Sequence, residues 1–153
     1  MGYASTIPSG ISVSQTGTAA ASFWALTNAS VDYNLNTFKT LNYKQPLSYA
    51  FADLVIDGAK DTSGAENHLV TTWLGYVNLN DGASDKNAGL CSLWFWTPAN
   101  GYIGQVRIRL TEDLASFLKP NTDYAASLKD IGCVGNNLVL YNPRVELSMY
   151  FGV

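Results

Sequence analysis

The sequence predicts an all-β chain, an antiparallel jelly-roll-like sandwich of about eight strands, and three observations predict it. Apolar and polar residues alternate with the period of a half-buried strand, as in Val106, Ile108 and Leu110 against Gln105, Arg107 and Arg109. The strand-like runs recur at roughly 8–12-residue spacing and are broken by Asn, Asp, Gly and Ser clusters. Aromatic residues make up 12% of the chain and charged residues only 14%, against about 25% charged in an average soluble domain.

Residues 1–22, rich in Gly, Ser, Thr and Ala, read as an extended N-terminal arm in which Ile11 and Val13 suggest a strand. The domain itself is expected over 23–153. Val31, Tyr33 and Leu35 alternate with Asp32, Asn34 and Asn36. Leu47 to Ile56 is apolar on both faces and reads as an interior strand closed by an Asp57-Gly58 turn. Leu69 to Leu79 reads as one long strand, with Trp73 and Tyr76 on opposite faces. Leu90 to Thr97 places Trp94 and Trp96 on one face and Leu93 and Phe95 on the other. Tyr102 to Leu110, Tyr124 to Leu128, Asn137 to Tyr141 and Val145 to Phe151 complete the set. One short helix is expected near 112–118, from Thr111 as N-cap, acidic residues in the first turn, and Lys119-Pro120 as the stop.

With 153 residues, the chain is long enough to bury a core without disulfides or metal. No stretch approaches the roughly 20 apolar residues of a membrane-spanning helix, so no membrane partner is expected. The N-terminus has no secretory-signal pattern, and production without export is the expectation. Net charge is −3, with the nine basic residues scattered, so there is no basic stripe to bind nucleic acid. Cys91 and Cys133 stand 42 positions apart and read as buried thiols, a disulfide being the alternative.

Candidate chemistry is sparse. The loops 57–66 and 78–87 gather carboxylates and amides of the kind calcium takes, but without EF-hand spacing and with a lysine in each. Ordinary turn chemistry is the expectation for both, with no cofactor and no metal. Asp53, among apolar neighbours on a strand, should pair with Arg107 or Arg109. Glu146 should point away from the core. A glycosidase pair of carboxylates would sit about 5–9.5 Å apart. His68 opens a strand with no nucleophile motif beside it, and no triad is named. The best functional candidates are Trp73, Trp94, Trp96 and Tyr102, as ligand or subunit contacts, with rings that fill the core between the two sheets as the alternative.

Low charge, abundant small polar residues, the arm and the terminal apolar strand together resemble bacteriophage virion structural proteins of the capsid decoration (cement), head-fibre and tail type. The likeness is one of composition and architecture over the whole chain, and no functional residue is carried over from it. It implies a non-enzymatic protein in the virion, made in the host cytoplasm, that binds capsid or other virion proteins as a homo-oligomer, a trimer being favoured. The alternative is a carbohydrate-binding jelly roll, which requires a solvent-open row among Trp73, Trp94, Trp96 and Tyr102. An enzyme comes third, requiring carboxylates among Asp53, Asp57 and Glu66 to converge in a cleft.

Overall fold

The computed structural model describes residues 12–16, 23–27, 29–61, 69–96, 102–133 and 138–152. Fourteen strand segments run through them: β1 (Ser12–Thr16), β2 (Phe23–Leu26), β3 (Val31–Lys39), β4 (Leu47–Ile56), β5 (Gly58–Asp61), β6 (Leu69–Thr71) and β7 (Gly75–Asn80). The rest are β8 (Asp85–Cys91), β9 (Trp94–Trp96), β10 (Tyr102–Ile103), β11 (Val106–Arg109), β12 (Asp123–Ile131), β13 (Leu138–Tyr141) and β14 (Arg144–Phe151). All pairings among them are antiparallel.

The ladders reduce to two bent sheets. One ladder runs β1-β14-β4-β11 and another β2-β13-β5-β10, so each strand of the second is the chain neighbour of its counterpart in the first. The two are halves of a single front sheet, bent where β4 passes into β5 at Asp57 and β13 into β14 at Asn142-Pro143. Likewise β3-β12-β7-β8 is prolonged by the β6-β9 pair into a back sheet, and the Thr72–Cys133 bridge ties the prolongation to the β12 side. Counting each bent strand once, the front order is first, eighth, third, sixth and the back order second, seventh, fourth, fifth. That is the order of a jelly roll.

Alternation builds the core. Ala50, Ala52, Leu54 and Ile56 of β4 and Val145, Leu147, Met149 and Phe151 of β14 point inward, opposite Val77 and Leu79 of β7 and Tyr124, Ala126 and Leu128 of β12. Each such aliphatic side chain contributes about 1.5–3 kcal/mol by leaving water. Asn36 is the polar exception. Its carboxamide donates to the Val145 carbonyl at 3.2 Å and accepts from the Val145 amide at 2.9 Å, joining the two sheets just beyond the last β1–β14 pair, Thr16 with Glu146.

Three expectations are corrected. Residues 112–118 form one turn, closed by Leu118 N–H on the Leu114 carbonyl at 3.0 Å, and the described residues contain no helix. The turn stops there because Leu114 N–H bonds the Ala50 carbonyl and the Asp113 carboxylate caps the Ala50 and Ala115 amides, which ties the segment to β4. The single strand expected over 69–79 is broken at 72–74, where Trp73 N–H turns to the Gly132 carbonyl. The turn expected at Asp57-Gly58 is a bend after which the strand continues as β5.

Of the predicted arm, Ser12–Thr16 forms β1 on the outer side of β14, and residues 1–11 and 17–22 lie outside the described residues. His68 and Glu66 also lie outside them.

Candidate binding surface

The β6–β9 pair carries the surface in question. Leu69 stands opposite Trp96 and Thr71 opposite Trp94. Val70 is buried and Phe95 packs against the core, so by strand alternation Leu69, Thr71, Trp94 and Trp96 share the outer face. Trp94 is 67% exposed and Trp96 61%, values at which neither indole is core. The same face continues onto β7 and β8. Gly75 and Val77 point inward, and Leu90 stands across from Tyr76; Leu74 and Leu90 are both exposed. The result is an apolar stripe of Leu90, Leu74, Trp94, Trp96 and Leu69 along one edge of the back sheet. Scattered apolar side chains on a surface are ordinary, whereas two tryptophans exposed on one face of one strand make a candidate contact surface.

The other two candidates lie elsewhere. Trp73 is half-buried, with ring carbons so close over Gly132 that a Cβ there would come within 2.6 Å of them. Its role is to cover the β12 end. Tyr102 belongs to the front sheet, where its ring lies over Gly58 and packs at 6.1 Å from the Tyr141 ring. Tyr102 remains partly open to solvent. The indole pair was legible in the sequence as period-two tryptophans on one strand. Leu69, Leu74 and Leu90 were missed because their exposure depends on the break at 72–74 and on β8 being an edge.

The carboxylates are committed to structure. Asp53, nearly buried, accepts from Arg109 Nε at 2.6 Å and from an Arg107 terminal nitrogen at 2.9 Å. Arg107 also meets both carboxylate oxygens of Glu146 at 3.2 and 3.3 Å. The expected arginine pairing of Asp53 therefore holds through both arginines, and Glu146 does point away from the core. Asp57 accepts from Gln105 at 3.1 Å and Arg144 at 3.0 Å, hydrogen bonds that hold its carboxyl below the usual carboxylate range. In the 78–87 loop, Asp81 accepts from the Ala83 and Ser84 amides and meets Lys119 at 3.5 Å, while Asp85 accepts from Asn78 and Asn80. Those bonds lower both carboxyls and are hairpin-turn chemistry. Among the described residues no group of three or more His, Cys, Asp or Glu side chains comes together as a metal site. Cys91 and Cys133 are buried and not joined by a disulfide, and burial pushes the Cys91 thiol up to about 11, leaving it protonated and unreactive at neutral pH. The interior space beside Cys91, lined by Leu54, Ile56, Leu93 and Leu140, is only about 10 Å³, at the lower limit for one water.

Fold and surface together define a jelly-roll β-sandwich whose back sheet ends in an exposed aromatic pair. No protein-family model matches the chain, and no curated protein matches it. Some solved structures resemble the chain distantly, at low identity. A chain of infectious bursal disease virus, Gx strain, superposes with a TM-score of 0.43 at 9% identity over 94% of this chain and 36% of its own length. The xylan-binding module CBM15 gives 0.40 at 12% identity, over 92% of this chain and 99% of the module. The insecticidal delta-endotoxin Cry8Ea1 from Bacillus thuringiensis gives 0.44 at 15% identity, over 82% of this chain and 19% of the toxin. This chain thus spans about a third of the viral chain and a fifth of the toxin. The likenesses are of fold, and no residue role is taken from them.

Proposed function

We propose that this chain is a non-enzymatic virion structural protein of the capsid decoration or cement kind, which oligomerises through the outer face of β6–β9 and docks on a protein shell in that form. The observation that carries the reading is the contiguous exposed stripe of Trp94, Trp96, Leu69, Leu74 and Leu90. Leu69, Leu74 and Leu90 are exposed along with the indoles, and large aromatic side chains are enriched in interfaces. The low charge of the chain supports the same reading, because charged residues are depleted where surfaces become interfaces.

Light scattering and native mass spectrometry of the wild type and of a Trp94→Ser/Trp96→Ser variant test it. An oligomer, expected to be a trimer, that dissociates in the variant supports the reading. A monomer that stays monomeric at high concentration and does not sediment with any assembled shell overturns it. A second reading is favoured by one specific feature. Trp94 and Trp96 are two residues apart on one face, which sets their Cα atoms roughly 7 Å apart and offers two indoles for stacking sugar rings. Glycan-array binding that disappears in the same double variant would replace the first reading with this one.

A further inference from the structure

The outer face of the front sheet carries a second aromatic cluster, unrelated to the β6–β9 stripe. Strand alternation turns Tyr49, Phe51 and Asp53 of β4 outward, and Glu146, Ser148 and Tyr150 of β14 with them. Tyr49 and Tyr150 are directly opposite in register. The rings of Tyr49, Phe51 and Tyr150 lie with centroids 5.5, 5.9 and 6.0 Å apart, so the three form one continuous surface. Phe51 is its buried floor; Tyr49 at 41% and Tyr150 at 38% exposure are its open part.

Arg109 borders this surface. Its guanidinium carbon sits 3.7 Å above the Phe51 ring, and its Nε donates to Asp53 at 2.6 Å. The guanidinium is therefore fixed from two sides, and the side chain is still more than half exposed. All the hydrogen bonding described for it runs through Nε, which leaves both terminal nitrogens as a rigid two-pronged donor. Such a fork matches a carboxylate. Arg107 has no such freedom, since its terminal nitrogens are taken up by Asp53 and Glu146.

The charge around the platform narrows the ligand. Two arginines stand against Asp53 and Glu146, so the cluster is balanced, and the whole chain is net negative. A ligand held through backbone charge alone, such as nucleic acid, is disfavoured there, whereas one ring stacked on the aromatics with a single carboxylate on Arg109 is matched. Flat aromatic faces with phenolic edges suit pyranose rings and their hydroxyls. We propose that this face binds a carboxylate-bearing glycan, an oligouronate, with a sugar ring against Tyr49 and Tyr150 and its carboxylate on the terminal nitrogens of Arg109.

The test is titration calorimetry of the full chain with oligogalacturonate and oligoguluronate, and with the methyl-esterified, uncharged form of each. Expected are binding of a charged form about tenfold or more tighter than of its ester, and losses of similar size in Arg109→Lys and in Tyr150→Ser. Tyr49→Ser serves as a second exposed variant, each melting like wild type so that loss of binding is not loss of fold. Val31→Ser, an exposed apolar position of β3 outside both surfaces, should bind as wild type, and loss of binding in Trp94→Ser/Trp96→Ser alone would place the ligand on the β6–β9 surface instead. Absence of binding by both charged forms, equal binding of charged and esterified chains, or binding abolished only by the tryptophan variant would each overturn the proposal.

Discussion

At the scale of single residues, the polar groups placed among apolar ones decide most. Asn36 satisfies both backbone groups of Val145 where the β1 pairing has ended. Asn36→Leu leaves a buried N–H and a buried C=O unmet, each costing about 1–3 kcal/mol, so the variant should lose about 2–4 kcal/mol in urea unfolding. Tyr43 presents the opposite case. Its ring packs on Phe151 at 5.0 Å, yet its buried hydroxyl has no partner among the described residues. Tyr43→Phe should therefore hold or raise the midpoint of unfolding, with a gain of up to about 1 kcal/mol. Asp53 is nearly buried between two arginines that are both well exposed. Solvent screening of those arginines brings the expected loss in Asp53→Asn down to about 1–2 kcal/mol, against about 3–5 for breaking a fully buried pair.

At the scale of elements, the strands the sequence revealed are those whose alternation is uninterrupted. β3, β11, β12 and β14 were legible for that reason, and β4 from its apolar run on both faces. β8 was not, because Asp85, Lys86 and Asn87 read as the end of a polar loop. Its register slips between Val77 and Asn78, and Gly89 takes a φ of 143°, with no room for a Cβ beside Leu110. A glycine bulge of this kind looks like a turn in one dimension. β5 was hidden in the same way. Gly58 follows an aspartate as in a hairpin, but it is there because a Cβ would collide with the Tyr102 ring. Gly58→Val should displace that ring and destabilise the β5–β10 pairing, read as faster amide exchange in β10 with little change in β14. The aromatic platform of Tyr49, Phe51 and Tyr150 was illegible because Tyr150 meets the β4 pair only through the register between β4 and β14. The tryptophan pair, by contrast, lies on a single strand.

At the scale of the whole molecule, the topology was legible as a class from strand number and spacing, while the bends that divide its strands were not. Nothing in the sequence states that three neighbouring strands bend along one line. In the structure Asp57 lies on that line and holds Gln105 and Arg144 from the strands on either side. The pH dependence of the molecule also belongs to this scale. Burial raises the Cys91 thiol from 9.0 to about 11 and the Tyr43 phenol from 10.0 to about 12. A folded-state pKa above the unfolded one means that the unfolded chain releases the proton first. The stabilisation is complete below pH 9 and is lost as pH rises through about 11 for Cys91, then through about 12 for Tyr43. Unfolding free energy measured from pH 8 to 12 should fall across that window. Cys91→Ala should flatten its lower part and Tyr43→Phe its upper part.

The pairing of β1 with β14 carries a consequence for how the chain reaches this state. The first described strand has its only described strand partner in the last, more than a hundred residues later along the chain. During synthesis, Ser12–Thr16 must wait outside the ribosome until Arg144–Phe151 has emerged, with β4 held open beside the same vacant place. Closure of the front sheet is thus a late, long-range event, and contacts so distant in sequence form slowly. A nascent chain stalled before residue 144 should remain sensitive to protease and prone to pairing with its neighbours on the polysome, and release of the last strand should end both at once.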